Sequence, residues 1–132
     1  MSEPRYLLDT HALIFWAENI ELSRDFIEFL DEQQRLGMLC VSTISFWEVA
    51  LLVKKDRIQV ADVHAWKNDL LNTTNIHLID PTAAEMINSV SLPDHHKDPF
   101  DRLLIAQANQ QNMTLVTRDV DIAKYDVARF WM

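Results

Sequence analysis

Short apolar runs alternate with longer amphipathic segments along this 132-residue chain. Four runs have the length and composition of buried β-strands, at residues 6–8, 38–41, 76–79 and 114–116. Six other segments carry apolar residues at helical spacing, at residues 12–18, 22–35, 46–55, 63–72, 82–89 and 99–111. A fifth strand is weakly indicated at residues 128–130. Because strands that alternate with helices form parallel sheets covered on both faces, this pattern predicts an α/β fold.

The size and composition of the chain fit one globular domain spanning residues 1–132. Hydrophobic residues make up 48% of the chain and charged residues 24%, so it can bury a substantial core. The longest apolar run, residues 12–17, is far shorter than the roughly 20 residues that cross a bilayer, so no membrane span is expected. The N-terminal residues lack the pattern of a secretory signal, which favours a cytoplasmic protein.

Two residue counts and the net charge narrow the range of functions. Gly37 is the only glycine, which excludes the glycine-rich turns that bind nucleotide phosphates. Cys40 is the only cysteine, which excludes an internal disulfide and a multi-cysteine metal site, and we expect it in the core. The formal net charge of −8 disfavours broad attraction to nucleic acid, so an anionic substrate requires metal ions or a local basic patch.

Two acidic residues follow predicted strands. Asp9 comes directly after the first strand, and Asp119 follows residues 114–117 with only Arg118 between them. Parallel α/β sheets carry their functional residues where strands end and the next helices begin. We therefore expect both carboxylates to project from the carboxyl edge of the sheet.

Two further acids lie in the first turn of predicted helices. Ser45 is a plausible N-cap, which puts Glu48 at the third helical position and completes a capping box. Asp98 is predicted to cap the last long helix, with Pro99 at its first position and Asp101 at its third. Since helices that follow parallel strands begin at the carboxyl edge, all four acids can meet there.

Each of these acids also has an ordinary structural interpretation, because carboxylates cap helices and turns and favour the positive end of the helix dipole. Electrostatics distinguishes the two interpretations. Two like charges about 4 Å apart repel by about 4 kcal/mol at an effective dielectric constant of about 20. If the four carboxylates converge, they need divalent cations or protons.

Four sequence blocks carry a family resemblance. They are LLDTHAL at residues 7–13, SFWEV at 45–49, HHKDPFDRLLIAQA at 95–108 and LVTRD at 115–119. In this order the blocks resemble those of PIN-domain ribonucleases, and the chain looks like a VapC-type toxin of a bacterial or archaeal toxin–antitoxin pair. The resemblance implies a three-layer α/β/α fold with a short central parallel sheet.

The resemblance also implies which residues form the site. Asp9 and Asp101 match the acids expected to contact a metal ion most directly, Glu48 matches the second acid, and Asp119 matches the fourth and most variable one. Asp121 is an alternative for that fourth role. Carboxylate ligands favour Mg²⁺ or Mn²⁺ over zinc. The implied reaction is hydrolysis of single-stranded RNA by a metal-activated water, leaving 5′-phosphate and 3′-hydroxyl ends, with no covalent nucleophile.

Several polar residues beside the acids are candidates for substrate contact: Thr10, His95, His96, Arg102, Thr117 and Arg118. Each also has a plain alternative. The threonines can satisfy backbone groups, the histidines can lie in solvent, and the arginines can compensate the acids. A basic cluster of Lys54, Lys55 and Arg57 either guides RNA or complements a helix C-terminus.

A partner is also predicted. A cognate antitoxin would inhibit such a toxin by placing an Arg or Lys of a basic segment among the four acids, in competition with the metal. Apolar surfaces near Phe15 and Trp16 and near Phe46 and Trp47 would hold the rest of that segment. The toxin is expected to be a homodimer.

Two other classes of protein fit part of the pattern. A receiver-like phosphoacceptor domain has a similar size and an acidic Mg²⁺ pocket, but it requires adjacent acids after its first strand, where Asp9 stands alone. A noncatalytic binding module would use the acidic pocket for docking only, and loss of metal-dependent RNA hydrolysis on Asp9→Asn substitution would exclude it.

Overall fold

The computed structural model describes residues 5–132, and it contains a five-stranded parallel sheet in the order β3-β2-β1-β4-β5. Residues 1–4, part of the stretch inspected for a secretory signal, lie outside the described residues. The strands are β1 (Tyr6–Leu8), β2 (Leu39–Ser42), β3 (His77–Ile79), β4 (Thr114–Val116) and β5 (Arg129–Phe130). The predicted α/β fold with a parallel sheet is confirmed.

Six α-helices connect the strands or flank the sheet: α1 (Thr10–Glu18), α2 (Arg24–Arg35), α3 (Thr43–Lys54), α4 (Val63–Thr73), α5 (Ala83–Val90) and α6 (Pro99–Gln110). A 3₁₀-helix (Ile122–Lys124) precedes β5. Every predicted helix is present, although α1 begins two residues and α3 three residues earlier than predicted. No helix within residues 5–132 combines the length and apolar character needed to cross a membrane.

The core consists of two apolar layers on opposite faces of the sheet. Leu8 packs on one face with Leu13, Phe26 and Leu30, and all four side chains are fully buried. Neighbouring Leu7 points the other way, since side chains alternate along a strand, and packs with Cys40, Ile105 and Leu115. Cys40 is therefore a core residue, as predicted.

The topology brings the ends of two strands together. Strands β1 and β4 are hydrogen-bonded neighbours in the middle of the sheet, with Leu8 opposite Val116. The Asp9 backbone N–H donates to the Val116 carbonyl at 3.1 Å, which continues the pairing beyond β1. The chain leaving β1 therefore lies beside the chain leaving β4, at the carboxyl edge of the sheet.

Candidate active site

Asp9 is the N-cap of α1. Its Oδ1 accepts a hydrogen bond from the Ala12 backbone N–H at 2.7 Å, and only 6% of the residue is exposed. Burial raises the pKa of Asp9, while the Thr117 hydroxyl and the Ala12 amide favour the charged form. The side chain thus has a capping role, but its carboxylate is held in a buried environment beside other acids.

Glu48 occupies a helical position different from the predicted one. The prediction that Ser45 caps α3 is wrong, because β2 runs directly into the helix and Ser42 is the N-cap. Glu48 therefore lies in the second helical turn, on the same face as buried Ile44 and Ser45, and forms no capping box. Burial raises the pKa of Glu48, and the nearby charge of Asp98 raises it further.

The Glu48 carboxylate has an unusual feature. Its Oε1 is buried and has no hydrogen-bond partner among the described residues. A buried polar atom without a partner is unfavourable by roughly 1–3 kcal/mol, and by more for a charged group. A bound cation or a proton would supply the missing interaction.

The start of α6 agrees with the sequence prediction. Asp98 is the N-cap and accepts from the Phe100 backbone N–H at 2.9 Å, Pro99 is the first helical residue, and Asp101 lies in the first turn. The pKa of Asp101 is raised to about 8, first by burial and then by the charge of Asp98 and of Asp9, Glu48 and Asp119. Asp101 is thus the carboxyl group at which repulsion within the cluster is most evident.

Asp119 and Asp121 differ in their surroundings. Oδ1 of Asp119 accepts from the backbone N–H groups of Asp121 and Ile122, at 2.7 and 3.1 Å, which leaves Oδ2 directed at the other acids. Asp121 forms an ion pair with Lys124 at 3.0 Å, and this amine lowers the pKa of the Asp121 carboxyl. The geometry therefore favours Asp119 as the fourth acid.

His96 lies between two of the acids. Its Nε2 is 2.9 Å from Oδ2 of Asp101 and 3.4 Å from Oδ2 of Asp119. Its Nδ1 accepts from the Asp98 backbone N–H at 3.1 Å, which assigns the ring proton of the neutral imidazole to Nε2. His96 Nε2 is thus close to two carboxylates, although it makes no hydrogen bond within residues 5–132.

Arg102 has a structural role, and its contact with substrate stays a prediction. Its guanidinium donates to four backbone carbonyls of the loop before α6, those of Val90, Leu92, Pro93 and His96. The Tyr125 hydroxyl donates to the Pro93 carbonyl at 2.6 Å and accepts from the His96 N–H at 2.8 Å. Together, Arg102 and Tyr125 fix the loop that carries His96.

The remaining candidates occupy different surroundings. His95 is exposed and packs against the Tyr125 ring, away from the acids. The Thr10 hydroxyl donates to Ser45 Oγ at 3.0 Å, and Thr117 Oγ1 accepts from the Asp119 N–H at 3.1 Å. Both threonines also lie beside acids, because the Thr10 hydroxyl lowers the pKa of Glu48 and the Thr117 hydroxyl lowers that of Asp9, each against the effect of burial. Tyr125 was missed in the sequence because it belongs to none of the four blocks and its hydroxyl reaches a loop 32 residues away.

The acids surround a cleft of about 460 Å³, hereafter the acidic cleft, whose lining includes Asp9, Asp101, Asp119 and His96. Arg118 lies at the same cleft, with its guanidinium 4.7 Å from the centre of the Phe15 ring and 3.7 Å from Glu21. The acids come from separate elements, and the unpartnered oxygen belongs to Glu48, which lines an adjoining cleft that shares Asp98 with this one. This donor set fits a divalent cation that prefers oxygen ligands.

Comparison with known proteins identifies the class to which this fold and site belong. The PIN domain model matches residues 6–128, so the chain belongs to the PIN-domain family, as the sequence blocks predicted. It is 37% identical to Ribonuclease VapC22 of Mycobacterium tuberculosis, over 86% of this chain and 85% of that protein. The predicted resemblance to VapC-type ribonucleases is confirmed, and with it the nuclease class.

Solved structures share the fold at lower sequence identity. The DNA-bound VapBC from Salmonella typhimurium matches with a TM-score of 0.70 and 16% identity, over 96% of each chain. VapBC2 from Rickettsia felis, bound to a promoter DNA fragment, matches with a TM-score of 0.68 and 17% identity, over 95% of this chain and 96% of that one. These two likenesses establish the fold.

Proposed function

We propose that this protein is the toxin of a toxin–antitoxin pair and that it hydrolyses phosphodiester bonds of single-stranded RNA at the acidic cleft, with Mg²⁺ or Mn²⁺ as cofactor. The observation that carries the proposal is the buried Glu48 Oε1, which lacks a partner beside three further carboxylates. Residues 1–132 would act as one PIN domain in the cytoplasm. Because the chain belongs to the PIN-domain family, the alternative of a receiver-like phosphoacceptor domain is dropped.

The four acids Asp9, Glu48, Asp101 and Asp119 would hold the cation. A cation held there would supply the activation of water for attack on phosphorus and the stabilisation of negative charge on the phosphate. Asp9 and Asp119 are fixed by backbone N–H groups, so their carboxylates are oriented before any ligand arrives. His96 Nε2 lies 2.9 Å from Oδ2 of Asp101, and Arg118 would supply a cation at the cleft for the substrate phosphate.

The decisive experiment is cleavage of a labelled single-stranded RNA by the purified protein with Mg²⁺, with Mn²⁺ or with EDTA. We expect cleavage with either cation, none with EDTA, and products that carry 5′-phosphate and 3′-hydroxyl ends. Asp9→Asn and Asp101→Asn should each abolish the reaction. The control Asp25→Asn, which changes an exposed carboxylate on α2, should not. RNA binding without cation-dependent cleavage would support the noncatalytic module instead.

An antitoxin is the proposed partner, in keeping with the VapBC complexes among the structural relatives. Its basic segment would place an Arg or Lys among the acids and compete with the cation. One part of the predicted docking surface needs correction, because Trp16 is buried and its indole N–H donates to Asp31. Trp47, by contrast, is 63% exposed and remains available.

The inhibition mechanism is tested by titrating the antitoxin segment against RNA cleavage at several Mg²⁺ concentrations, with its candidate Arg or Lys replaced by Ala in a parallel series. We expect Mg²⁺ to weaken inhibition and one basic residue to be required. Inhibition that is independent of both would indicate simple blockage of the RNA path.

The homodimer remains a proposal, and helix α5 is its best-supported interface. Met86, Ile87 and Val90 form an apolar stripe on α5 that is 48%, 67% and 79% exposed. Two copies with a net charge of −8 each would approach most favourably where charge is absent. Light scattering should show a dimer that Ile87→Lys dissociates and that Leu36→Lys, at the exposed C-cap of α2, does not. A monomeric wild type would contradict the proposal.

A further inference from the structure

A second cleft lies next to the acidic cleft, between α3 and the start of α6. It has a volume of about 430 Å³, and its apolar lining comes from Leu51, Leu52, Pro99 and Phe100. This volume falls in the range of about 300–1,000 Å³ that is typical of sites for small ligands. Lys55 and Lys97 also line it, and we call it the lysine cleft.

The lysine cleft adjoins the acidic cleft and shares one lining residue with it. Asp98 lines both clefts, and Glu48, which contributes the unpartnered carboxylate oxygen, lines the lysine cleft as well. A chain molecule with one phosphate at the acids would therefore extend its next unit into the lysine cleft. To fit there, that unit needs an apolar group that packs on the apolar lining and negative charges that pair with the lysines.

The two lysines have the properties of phosphate contacts. Both are exposed, and neither forms an ion pair within residues 5–132. Lys55 is the C-cap of α3, where a cation is favoured by the helix dipole, but Lys97 directly precedes the N-cap of α6, where the dipole disfavours a cation. Helix stability therefore does not account for Lys97 at this position.

An aromatic surface adjoins the cleft. The Phe100 ring meets the Trp47 indole edge-to-face with their centroids 5.0 Å apart, and Trp47 is 63% exposed. Nucleobases stack on aromatic and apolar side chains without requiring a particular sequence, and nearby cations bind the adjoining phosphates. The two lysines and the apolar and aromatic surface thus match a single-stranded nucleotide, while the carboxylates of Glu48 and Asp98 belong to the acids that would face the cation.

We propose that the lysine cleft is a nucleotide subsite, in which one base of single-stranded RNA packs against Leu51, Leu52 and Phe100 while Lys55 and Lys97 bind its flanking phosphates. The proposal rests on the proposed function and specifies how the substrate is held beside the cleaved bond. The base lies between α3 and α6, and the cleaved phosphate lies at the acidic cleft.

The test measures RNA binding separately from cleavage. Fluorescence anisotropy with a labelled single-stranded RNA is recorded for proteins that also carry Asp101→Asn, so that the RNA stays intact. Lys55→Glu and Lys97→Glu should each weaken binding by about 10-fold or more and reduce the salt dependence. Lys54→Glu is the matched control, because Lys54 adjoins Lys55 but does not line the cleft, and it should change affinity by less than about 2-fold.

The base contact is tested by moving a single abasic position along the RNA. We expect one position at which loss of the base weakens binding by about 5-fold or more. The Leu52→Ser variant, whose folding is checked by thermal melting, should bind the intact RNA and the RNA that is abasic at that position with similar affinity. The proposal is overturned by equal effects of Lys54→Glu and Lys55→Glu, or by uniform sensitivity to abasic positions.

The outcomes separate this proposal from the proposed function. If wild type cleaves RNA and the two cleft-lining lysine variants bind RNA normally, only the subsite is wrong. Should wild type neither bind nor cleave RNA, the proposed function fails as well. If these variants lose affinity for the antitoxin segment but not for RNA, the cleft is a protein-docking surface and the subsite is wrong.

Discussion

The imidazole Nε2 of His96 lies 2.9 Å from Oδ2 of Asp101, a carboxyl group whose pKa burial and neighbouring acids raise to about 8. A side chain that lies against one oxygen of a carboxylate orients it and leaves the other oxygen available to a cation. The loop that carries His96 is in turn held by Arg102 and Tyr125. His96 is therefore expected to act as a positioning residue that links this loop to the site.

Substitution of His96 tests that role. His96→Ala should raise the Mg²⁺ or Mn²⁺ concentration required for half-maximal cleavage by roughly 10- to 100-fold, as is usual when a residue that orients metal ligands is lost. His95→Ala is the matched control, because this neighbour packs on Tyr125 and does not reach the acids. Identical cation titrations for the two variants would show that His96 does not position the ligands.

Bound cations should stabilise the folded protein. They relieve repulsion among the acids that the unfolded chain largely lacks, and a ligand at 100 times its Kd contributes about 2.7 kcal/mol. For a chain of this size, that corresponds to a rise in Tm of roughly 10 °C. Thermal melts with and without Mg²⁺ or Mn²⁺ measure the shift, which Asp9→Asn and Asp101→Asn should reduce. An undiminished shift in both variants would place the cation elsewhere.

Without cations, stability should fall as the pH rises from about 4 to about 8. The pKa of Asp101 is raised from 3.8 to about 8, so the folded state holds this proton more tightly than the unfolded state. The resulting stabilisation is complete below pH 3.8 and is lost as the pH rises through about 8. Burial raises the pKa values of Asp9 and Glu48 too, which adds to the same trend.

Thermal melts in EDTA across this pH range measure the dependence. Asp101→Asn should flatten it, because the amide does not titrate. Asp121→Asn should leave the slope in place, since Lys124 lowers the pKa of Asp121 instead of raising it. A wild-type Tm that does not change with pH would contradict the raised pKa of Asp101.

The loop before α6 should depend on Arg102 for stability. Arg102→Ala removes a donor from four backbone carbonyls, of which, within the described part of the chain, only that of Pro93 keeps a second donor, the Tyr125 hydroxyl. We expect the free energy of unfolding to fall by about 2–4 kcal/mol. Arg24→Ala removes only an exposed pair with Glu28 and should change it by less than about 0.5 kcal/mol. Urea denaturation distinguishes the two, and equal effects would show that the loop does not rely on this guanidinium.

The sequence by itself determined the parallel sheet, the helices between its strands and the acids at its carboxyl edge. Strand ends and helix starts are local features, because apolar periodicity and the Asp98–Pro99 start of α6 can be read within a few residues. The core position of Cys40 follows from the same local pattern.

Only the tertiary structure decided where α3 begins and which polar residues face the acids. The local capping pattern pointed to Ser45, but the direct passage from β2 into α3 made Ser42 the cap and turned Ser45 toward Thr10, 35 residues away. The roles of Arg102 and His96 depend likewise on loop carbonyls and on Asp119, which are distant in sequence. Such contacts form only when separate elements pack, so local spacing names the candidates and the packing decides what each one touches.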